Sequence, residues 1–123
     1  GQKYRRLRLI SMGSKQEIAD YIIGQISSAG DVYARKMFGE YGLYCDAKMI
    51  AIISDDQLFI KPTEAGRAFI GEVEEAAPYP GAKLWLLIPE ERWEDSSWLT
   101  ELAKLTGAAL PPPKPKPAKK TKQ

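Results

Sequence analysis

The stretch that decides the fold is Arg35-Lys36-Met37-Phe38-Gly39-Glu40-Tyr41-Gly42-Leu43-Tyr44. Its aromatic and β-prone residues favour strands, yet it contains two glycines three positions apart. Glycine weakens a strand interior unless the backbone needs a bulge, a positive φ or a close approach to another group. We therefore expect Gly39 and Gly42 to mark a bulge or tight bend. The alternative is a loop whose backbone amides approach an anion or a partner, although a phosphate loop would also need a following helix and lysine.

Short strand-like segments continue on both sides of this stretch. They are rich in β-branched and aromatic residues, and the predicted strands cover residues 32–38, 43–45, 49–54 and 57–61. The turn-forming residues between them are Gly39/Gly42, Asp46-Ala47 and Asp55-Asp56. Because connections this short join only antiparallel neighbours, we predict a meander of hairpins. The apolar run over residues 83–88 predicts a fifth strand.

Three helices are predicted around these strands. Ser14 and Glu17 have capping-box spacing before a helically spaced apolar pattern, so the first helix covers residues 15–29 and stops at Gly30. A second helix, capped by Thr63, covers 63–70, and a third runs from 95 or 96 through 105 and ends at Gly107. Grouped strands and helices indicate an α+β fold, with an N-terminal, a short middle and a C-terminal helix packed on an antiparallel sheet of about five strands.

The composition suits one compact domain and removes most catalytic chemistries. The chain has 123 residues, of which 44% are hydrophobic, and no apolar run as long as a membrane span. It contains one cysteine, Cys45, and no histidine. A disulfide framework, a zinc site and a histidine-activated nucleophile are therefore not expected. We expect no catalytic, cofactor-binding or metal-binding residues, and a cytoplasmic protein with a free thiol.

The charge distribution is uneven, although the formal net charge is only +2. The body of the chain has nine Lys and Arg against 16 Asp and Glu, so 9 − 16 gives −7. The remaining nine cations lie at the two ends, and they are Lys3, Arg5, Arg6, Arg8, Lys114, Lys116, Lys119, Lys120 and Lys122. A basic DNA-binding domain would instead cluster its cations on a folded face.

The two ends are interpreted separately from a domain over residues 12–109. Residues 1–11 precede Met12-Gly13-Ser14, which resembles a translation start, so we interpret them as an expression leader or upstream read-through. A native basic arm that binds a polyanion is the alternative. The tail, residues 110–123, combines proline with lysine and is expected to be disordered. Its five lysines are candidate contacts for weak, non-specific nucleic-acid binding, and a solubilising tail is the alternative.

Three groups of residues together resemble a known family. They are residues 35–44, Asp46-Ala47-Lys48 and residues 55–61, and they resemble the N-terminal domain of TfoX/Sxy-family proteins. The motif residues are Arg35, Lys36, Met37, Phe38, Gly39, Tyr41, Gly42 and Tyr44. Residues 79–83 and the Pro-Lys ending resemble a subgroup of short, single-domain members. Two positions depart from the family pattern: Glu40 replaces a third glycine of many relatives, and Ala47 replaces a usual turn glycine.

The resemblance implies a fold and a field of activity. Full-length members regulate natural DNA transformation (competence) as transcriptional co-activators beside a cyclic-AMP receptor protein, and they carry a second, helical domain. The likeness here runs from about Ser14 to Pro117, so we expect it to concern the N-terminal domain alone. It also implies a strongly curved antiparallel sheet and a homodimer as one expected state.

Individual side chains in the strands have both structural and binding interpretations. Arg35 and Lys36 are adjacent on a strand, so they should point to opposite faces. Four aromatic residues suggest either a base-stacking platform or, as we prefer, core packing or a dimer interface, and they are Tyr33, Tyr41, Tyr44 and Phe59. Cys45 is expected to be a small buried hydrophobe. The tryptophans are expected to be core or interface anchors, and they are Trp85, Trp93 and Trp98.

Two classes of function follow from these observations. We favour a non-enzymatic regulatory domain that binds a protein partner, either the transcription machinery or a second copy, through a sheet edge or a dimer face. The alternative is a small-molecule-binding protein or enzyme with a pocket between sheet and helices. The acidic residues do not form a matched acid/base pair in sequence, and we interpret them as solvated surface stretches. They are Asp55, Asp56, Glu72, Glu74, Glu75, Glu90, Glu91, Glu94 and Asp95.

Overall fold

An antiparallel sheet with helices on one face is formed by residues 15–113, the part of the chain that this computed structural model describes. The helices are α1 (Lys15–Ile26), α2 (Glu64–Ile70), α3 (Glu90–Trp93) and α4 (Ser96–Ala109), with a 3₁₀ turn over Ser27–Ala29. The strands are β1 (Val32–Met37), β2 (Glu40–Cys45), β3 (Lys48–Ser54), β4 (Gln57–Ile60), β5 (Glu74–Ala76) and β6 (Trp85–Ile88). The predicted α+β class is confirmed.

The strand order is β1-β2-β3-β4-β6-β5, and every neighbouring pair is antiparallel. The predicted meander of the first four strands is therefore confirmed. Several elements differ from prediction, including the short helix α3, which was not predicted. The β1–β2 turn contains only Phe38 and Gly39, so β2 already begins at Glu40 and Gly42 is a strand residue. A sixth strand, β5, was not predicted, and α4 continues through Gly107 to Ala109.

The three hairpins of the meander use two-residue turns in the left-handed region. Both turn residues have positive φ in each case: Phe38 and Gly39, Asp46 and Ala47, and Asp55 and Asp56. This is the pattern of type I′ turns, whose twist matches that of the flanking strands. Sheet twist thus decides the backbone conformation of these six residues.

One face of the sheet carries α1, α2 and α4, and the core lies between them. Its largest fully buried side chains include Ile22, Leu43, Ile50, Ile53, Leu58, Leu86, Ile88, Trp93, Leu99 and Leu102. A shift of register between β2 and β3 pairs Leu43 with Ala51 and Tyr44 with Met49, which leaves Ile50 as an extra residue. This bulge bends the sheet next to Gly42.

The other face of the sheet is called the open face here. Ile52 and Phe59 point to it because they alternate with the core residues on β3 and β4. Both are nevertheless buried, and the Ser54 hydroxyl beside them donates to the Pro78 carbonyl at 2.6 Å. The β5–β6 connection, residues 77–84, therefore packs over the middle of the open face.

Candidate functional site

The β1–β2 hairpin forms one edge of the sheet. β1 is the outermost strand, and within the described residues it pairs with β2 alone. The register places Tyr33 opposite Tyr44 and Arg35 opposite Gly42, whereas Ala34 packs against the core. Because side chains alternate along a strand, Tyr33, Arg35 and Tyr44 share the open face.

Aromatic stacking organises this part of the open face. The rings of Tyr33 and Tyr44 are stacked, with centroids 5.3 Å apart and planes 2° from parallel. The Arg35 guanidinium carbon lies 5.7 Å from the centroid of the Tyr44 ring. Such a contact holds a cation against an aromatic surface while leaving its hydrogen-bond donors exposed. A cation thus flanks the aromatic pair, which the sequence had not indicated.

Gly42 provides the space in which two methionine side chains lie. A Cβ at Gly42 would stand 3.3 Å from the Met37 Sδ and 3.4 Å from the Met49 Cε. The missing side chain therefore lets both methionines lie flat over the strand, and the polarizable thioethers fill the gap. Gly39, by contrast, has open space around it and is needed for its φ of 81°. Gly39 is therefore needed for its backbone conformation and Gly42 for the space it leaves. The bend of the sheet lies at the β2–β3 bulge beside Gly42.

Phe38 is the exceptional residue of the hairpin. It occupies the tip with φ 50°, and its side chain is 100% exposed. A non-glycine residue in the left-handed region loses roughly 1–2 kcal/mol relative to the right-handed region, and an exposed phenyl ring recovers none of this by burial. Phe38, Tyr33, Arg35, Met37 and Tyr44 together are called the hairpin surface below.

The remaining sequence candidates separate from this surface. Tyr41 packs against the core on the helix-covered face, and Phe59 is 2% exposed beneath the β5–β6 connection. The four aromatic residues thus do not form one platform. Lys36 is exposed and pairs in register with Tyr41, on the side opposite Arg35 as predicted.

Cys45 and the tryptophans have structural surroundings. Cys45 is buried, as predicted. Burial raises the pKa of its thiol, and the nearby Asp46 and Asp31 carboxylates raise this pKa further. Trp93 is a core anchor at 1% exposure, and its indole donates to the Ile88 carbonyl at 3.1 Å. Trp85 and Trp98 are half-buried.

Two of the surface carboxylates have specific partners within the domain. Asp95 caps α4 by accepting from the Trp98 amide at 3.1 Å. Glu75 accepts two hydrogen bonds from the Arg67 guanidinium, at 3.0 and 3.1 Å. The pKa of the Glu75 carboxyl is lowered by this hydrogen bonding and by the guanidinium charge. These groups belong to the fold and its surface pairing.

A second surface feature is a cleft of about 480 Å³ where α2, β6 and the start of α4 meet. Apolar side chains form much of its lining, including Ile70, Val73, Leu87 and Trp98. Five carboxylates also line it, and they are Asp56, Glu72, Glu74, Glu90 and Glu91. The cleft is called the acidic groove below. Three separate stretches of the chain supply these acids, so linear spacing gives no sign that they converge.

Two sets of predicted features fall elsewhere. The five tail lysines and the leader lie outside residues 15–113, so the structure describes no contact for them. Within residues 15–113 the acidic and cysteine side chains form no cluster of three or more suited to a metal ion. The same part of the chain contains no helix with the length and apolar character needed to cross a bilayer.

Comparison with known proteins gives two similarities. The family described as TfoX N-terminal domain matches residues 24–110. An uncharacterized 12.7 kDa protein in the trpE 5′ region of Spirochaeta aurantia is 38% identical over 109 residues, which cover 88% of this chain and 93% of that protein. The family match includes the whole meander, the acidic groove and the hairpin surface.

Proposed function

Because the chain belongs to the TfoX N-terminal domain family, we propose that it is a non-enzymatic regulatory domain of transcription control that acts by binding a protein partner. The family supports a competence-regulator-like domain, and the mode of action is our proposal. The observation that carries it is Phe38, fully exposed at the hairpin tip in a costly backbone conformation. The positive φ follows from the turn type, as in the other two hairpins, so the functional argument rests on the side chain. A large apolar ring that is fully exposed at the tip suits a partner's pocket.

The β1 edge supplies the second half of the proposed contact. Its outward N–H and C=O groups can pair with an extended segment of another chain, which is a common mode of peptide recognition. Arg35 and Lys36 are exposed on this strand. They favour an acidic partner segment, since cross-strand pairs of opposite charge are stabilising. Phe38 would then anchor the segment at one end of the strand.

These cations also decide between the two partners expected from the sequence. Antiparallel pairing of β1 with β1 of a second copy, centred on Arg35, would place like charges opposite each other, which is destabilising. We therefore propose a component of the transcription machinery as the partner, and a homodimer is an alternative outcome of the test.

Site-specific photo-crosslinking in the source cell tests the proposal. A photoreactive phenylalanine analogue is placed at Phe38, and the matched control places it at Asp20, which is exposed on α1. We expect position 38 to capture a transcription component that position 20 does not capture. Equal capture at both positions would contradict the proposal, and capture of a second copy alone would replace the proposed partner with a homodimer.

The alternative of a small-molecule-binding protein or enzyme needs polar groups that converge on an enclosed ligand. The acidic groove has the volume for this, but its polar lining is mainly carboxylate. Like-charged carboxylates suit a cationic chain better than a neutral metabolite. The regulatory proposal therefore rests on the hairpin surface, and we interpret the acidic groove as a binding surface for a cationic chain.

A further inference from the structure

The acidic groove combines an apolar floor with a negatively charged rim. Trp98 is half-buried in its wall, and the Arg92 guanidinium carbon lies 4.3 Å from the centroid of the Trp98 ring. Arg92 is the only cation among the lining residues, against five carboxylates. The Phe69 ring also packs on Trp98, with ring centroids 5.5 Å apart, so the Trp98 ring already has partners within the domain. The remaining apolar lining beside the carboxylates matches a ligand that carries both proline rings and lysines. A proline-rich segment suits such a groove because its extended backbone is preformed.

The chain itself carries such a segment. Residues 111–123 contain Pro111, Pro112, Pro113, Pro115 and Pro117 together with all five tail lysines, and no acidic residue. We propose that the acidic groove binds this tail of the same molecule, with its prolines along the apolar lining and its later lysines on the carboxylate rim. This contact is independent of the hairpin surface.

The tail is long enough to reach the groove from the end of α4. The helix carries the chain from Trp98, at the groove, to the region of Leu110, and twelve residues at 1.5 Å each span about 18 Å. A polyproline-like chain advances about 3.1 Å per residue, so the 13 residues after Leu110 can span up to about 40 Å, which covers this distance with residues left for a reversal of chain direction. The lysines late in the tail are therefore within reach of the rim.

The contact has a consequence for nucleic-acid binding. Lysines held on the groove are unavailable to phosphate, so the groove competes with nucleic acid for the tail. A tethered segment has a high effective concentration at its site, which lets individually weak ion pairs hold it. At low nucleic-acid concentration, the groove carboxylates therefore neutralise part of the tail's charge and weaken its binding to nucleic acid.

Zero-length carbodiimide crosslinking of the full chain tests the contact, because it joins only carboxylates and amines that touch. Mass spectrometry should find amide links from Glu72, Glu74 or Glu91 to Lys119, Lys120 or Lys122. A mixture of ¹⁴N- and ¹⁵N-labelled protein separates links within one molecule from links between two. Links distributed evenly to exposed carboxylates outside the groove, such as Asp20 and Glu101, would overturn the proposal, and so would links found only between differently labelled molecules.

A matched pair of triple variants tests the competition. The groove variant is Glu72→Gln, Glu74→Gln and Glu91→Gln, and the control is Asp20→Asn, Glu64→Gln and Glu101→Gln, which removes the same charge from exposed positions outside the groove. At low salt, the groove variant should bind single-stranded oligothymidylate about three- to tenfold more tightly than the control, the range expected for a few exposed ion pairs. Equal affinities would contradict the competition between groove and nucleic acid.

Discussion

At the scale of single residues, Ala47 occupies a turn position whose backbone conformation favours glycine. Ala47 has φ 72° in the β2–β3 turn, a region of the backbone map that residues with a Cβ rarely adopt. Ala47→Gly should therefore raise the free energy of unfolding by about 1 kcal/mol, because glycine adopts positive φ without a steric penalty. Urea unfolding measures the change. The control Ala68→Gly, in an exposed position of α2, should lower stability by a similar amount.

The reactivity of the buried Cys45 thiol measures how often the core opens. Its buried thiol has a raised pKa, so the protonated form is favoured in the folded state and alkylation should be slow at pH 8. The raised folded pKa stabilises the fold below the unfolded thiol's pKa, and that contribution is lost as pH rises through the folded value. Thiol labelling should therefore accelerate with urea in step with unfolding. Fast labelling of the native protein would contradict the buried position.

At the scale of elements, the C-terminus of α4 depends on a lysine from the sheet. The Lys48 Nζ donates to the Gly107 carbonyl at 2.8 Å and to the Leu110 carbonyl at 3.1 Å. A cation here satisfies terminal carbonyls and interacts favourably with the helix dipole. Lys48→Met keeps the apolar stem but should lower the free energy of unfolding by about 1–2 kcal/mol. Lys83→Met, which removes an exposed charge elsewhere, should change urea stability little.

The same contact explains why sequence patterns predicted some elements and missed others. Strongly periodic segments such as α1 and β3 were recognised because their own residues carry the pattern. The helix end at Gly107 was wrong because the helix continues to Ala109, and the lysine that binds its terminal carbonyls lies on a strand, 59 positions from Gly107. β5 was missed because Glu74–Ala76 has no apolar alternation, and pairing with the distant β6 makes it a strand.

Candidate sites were predictable to a more limited extent. Residues 35–44 identified the family and the hairpin, but the strand prediction included Phe38, which the two-residue turn moves to the tip. Its exposure follows from register, and periodicity alone does not set register. The acidic groove was not predictable because α2, β5, α3 and the β3–β4 turn meet only in three dimensions.

At the scale of the whole molecule, the separation of charge predicts where nucleic-acid affinity resides. The described domain is acidic, and the tail has five lysines. Replacing Lys114, Lys116, Lys119, Lys120 and Lys122 with glutamine should abolish binding to oligothymidylate. With all five on phosphates, the wild-type log affinity should fall with log salt at a slope of about −3.5. Retained affinity in the glutamine variant, measured by fluorescence anisotropy, would contradict this assignment and place the binding on the domain or on the cations of residues 1–11.

The central claim, that the Phe38 tip serves a partner at the expense of the fold, predicts opposite effects of one substitution. Phe38→Asn creates an Asn-Gly pair, the preferred sequence of a type I′ turn. It should therefore raise the free energy of unfolding by about 0.5–1 kcal/mol, within the range of turn and propensity effects. A substitution that stabilises the domain and yet removes binding identifies a functional residue without the ambiguity of misfolding.

The most direct measurement is therefore the amount of the transcription partner retained by Phe38→Asn in quantitative co-purification from the source cell. Ala47→Gly is the matched control, since it relieves the same kind of turn strain at the opposite end of β2. We predict at least roughly a tenfold loss of the partner for Phe38→Asn, as expected for an anchor residue worth more than 1.4 kcal/mol, and no loss for Ala47→Gly. Equal retention by both variants would contradict the account.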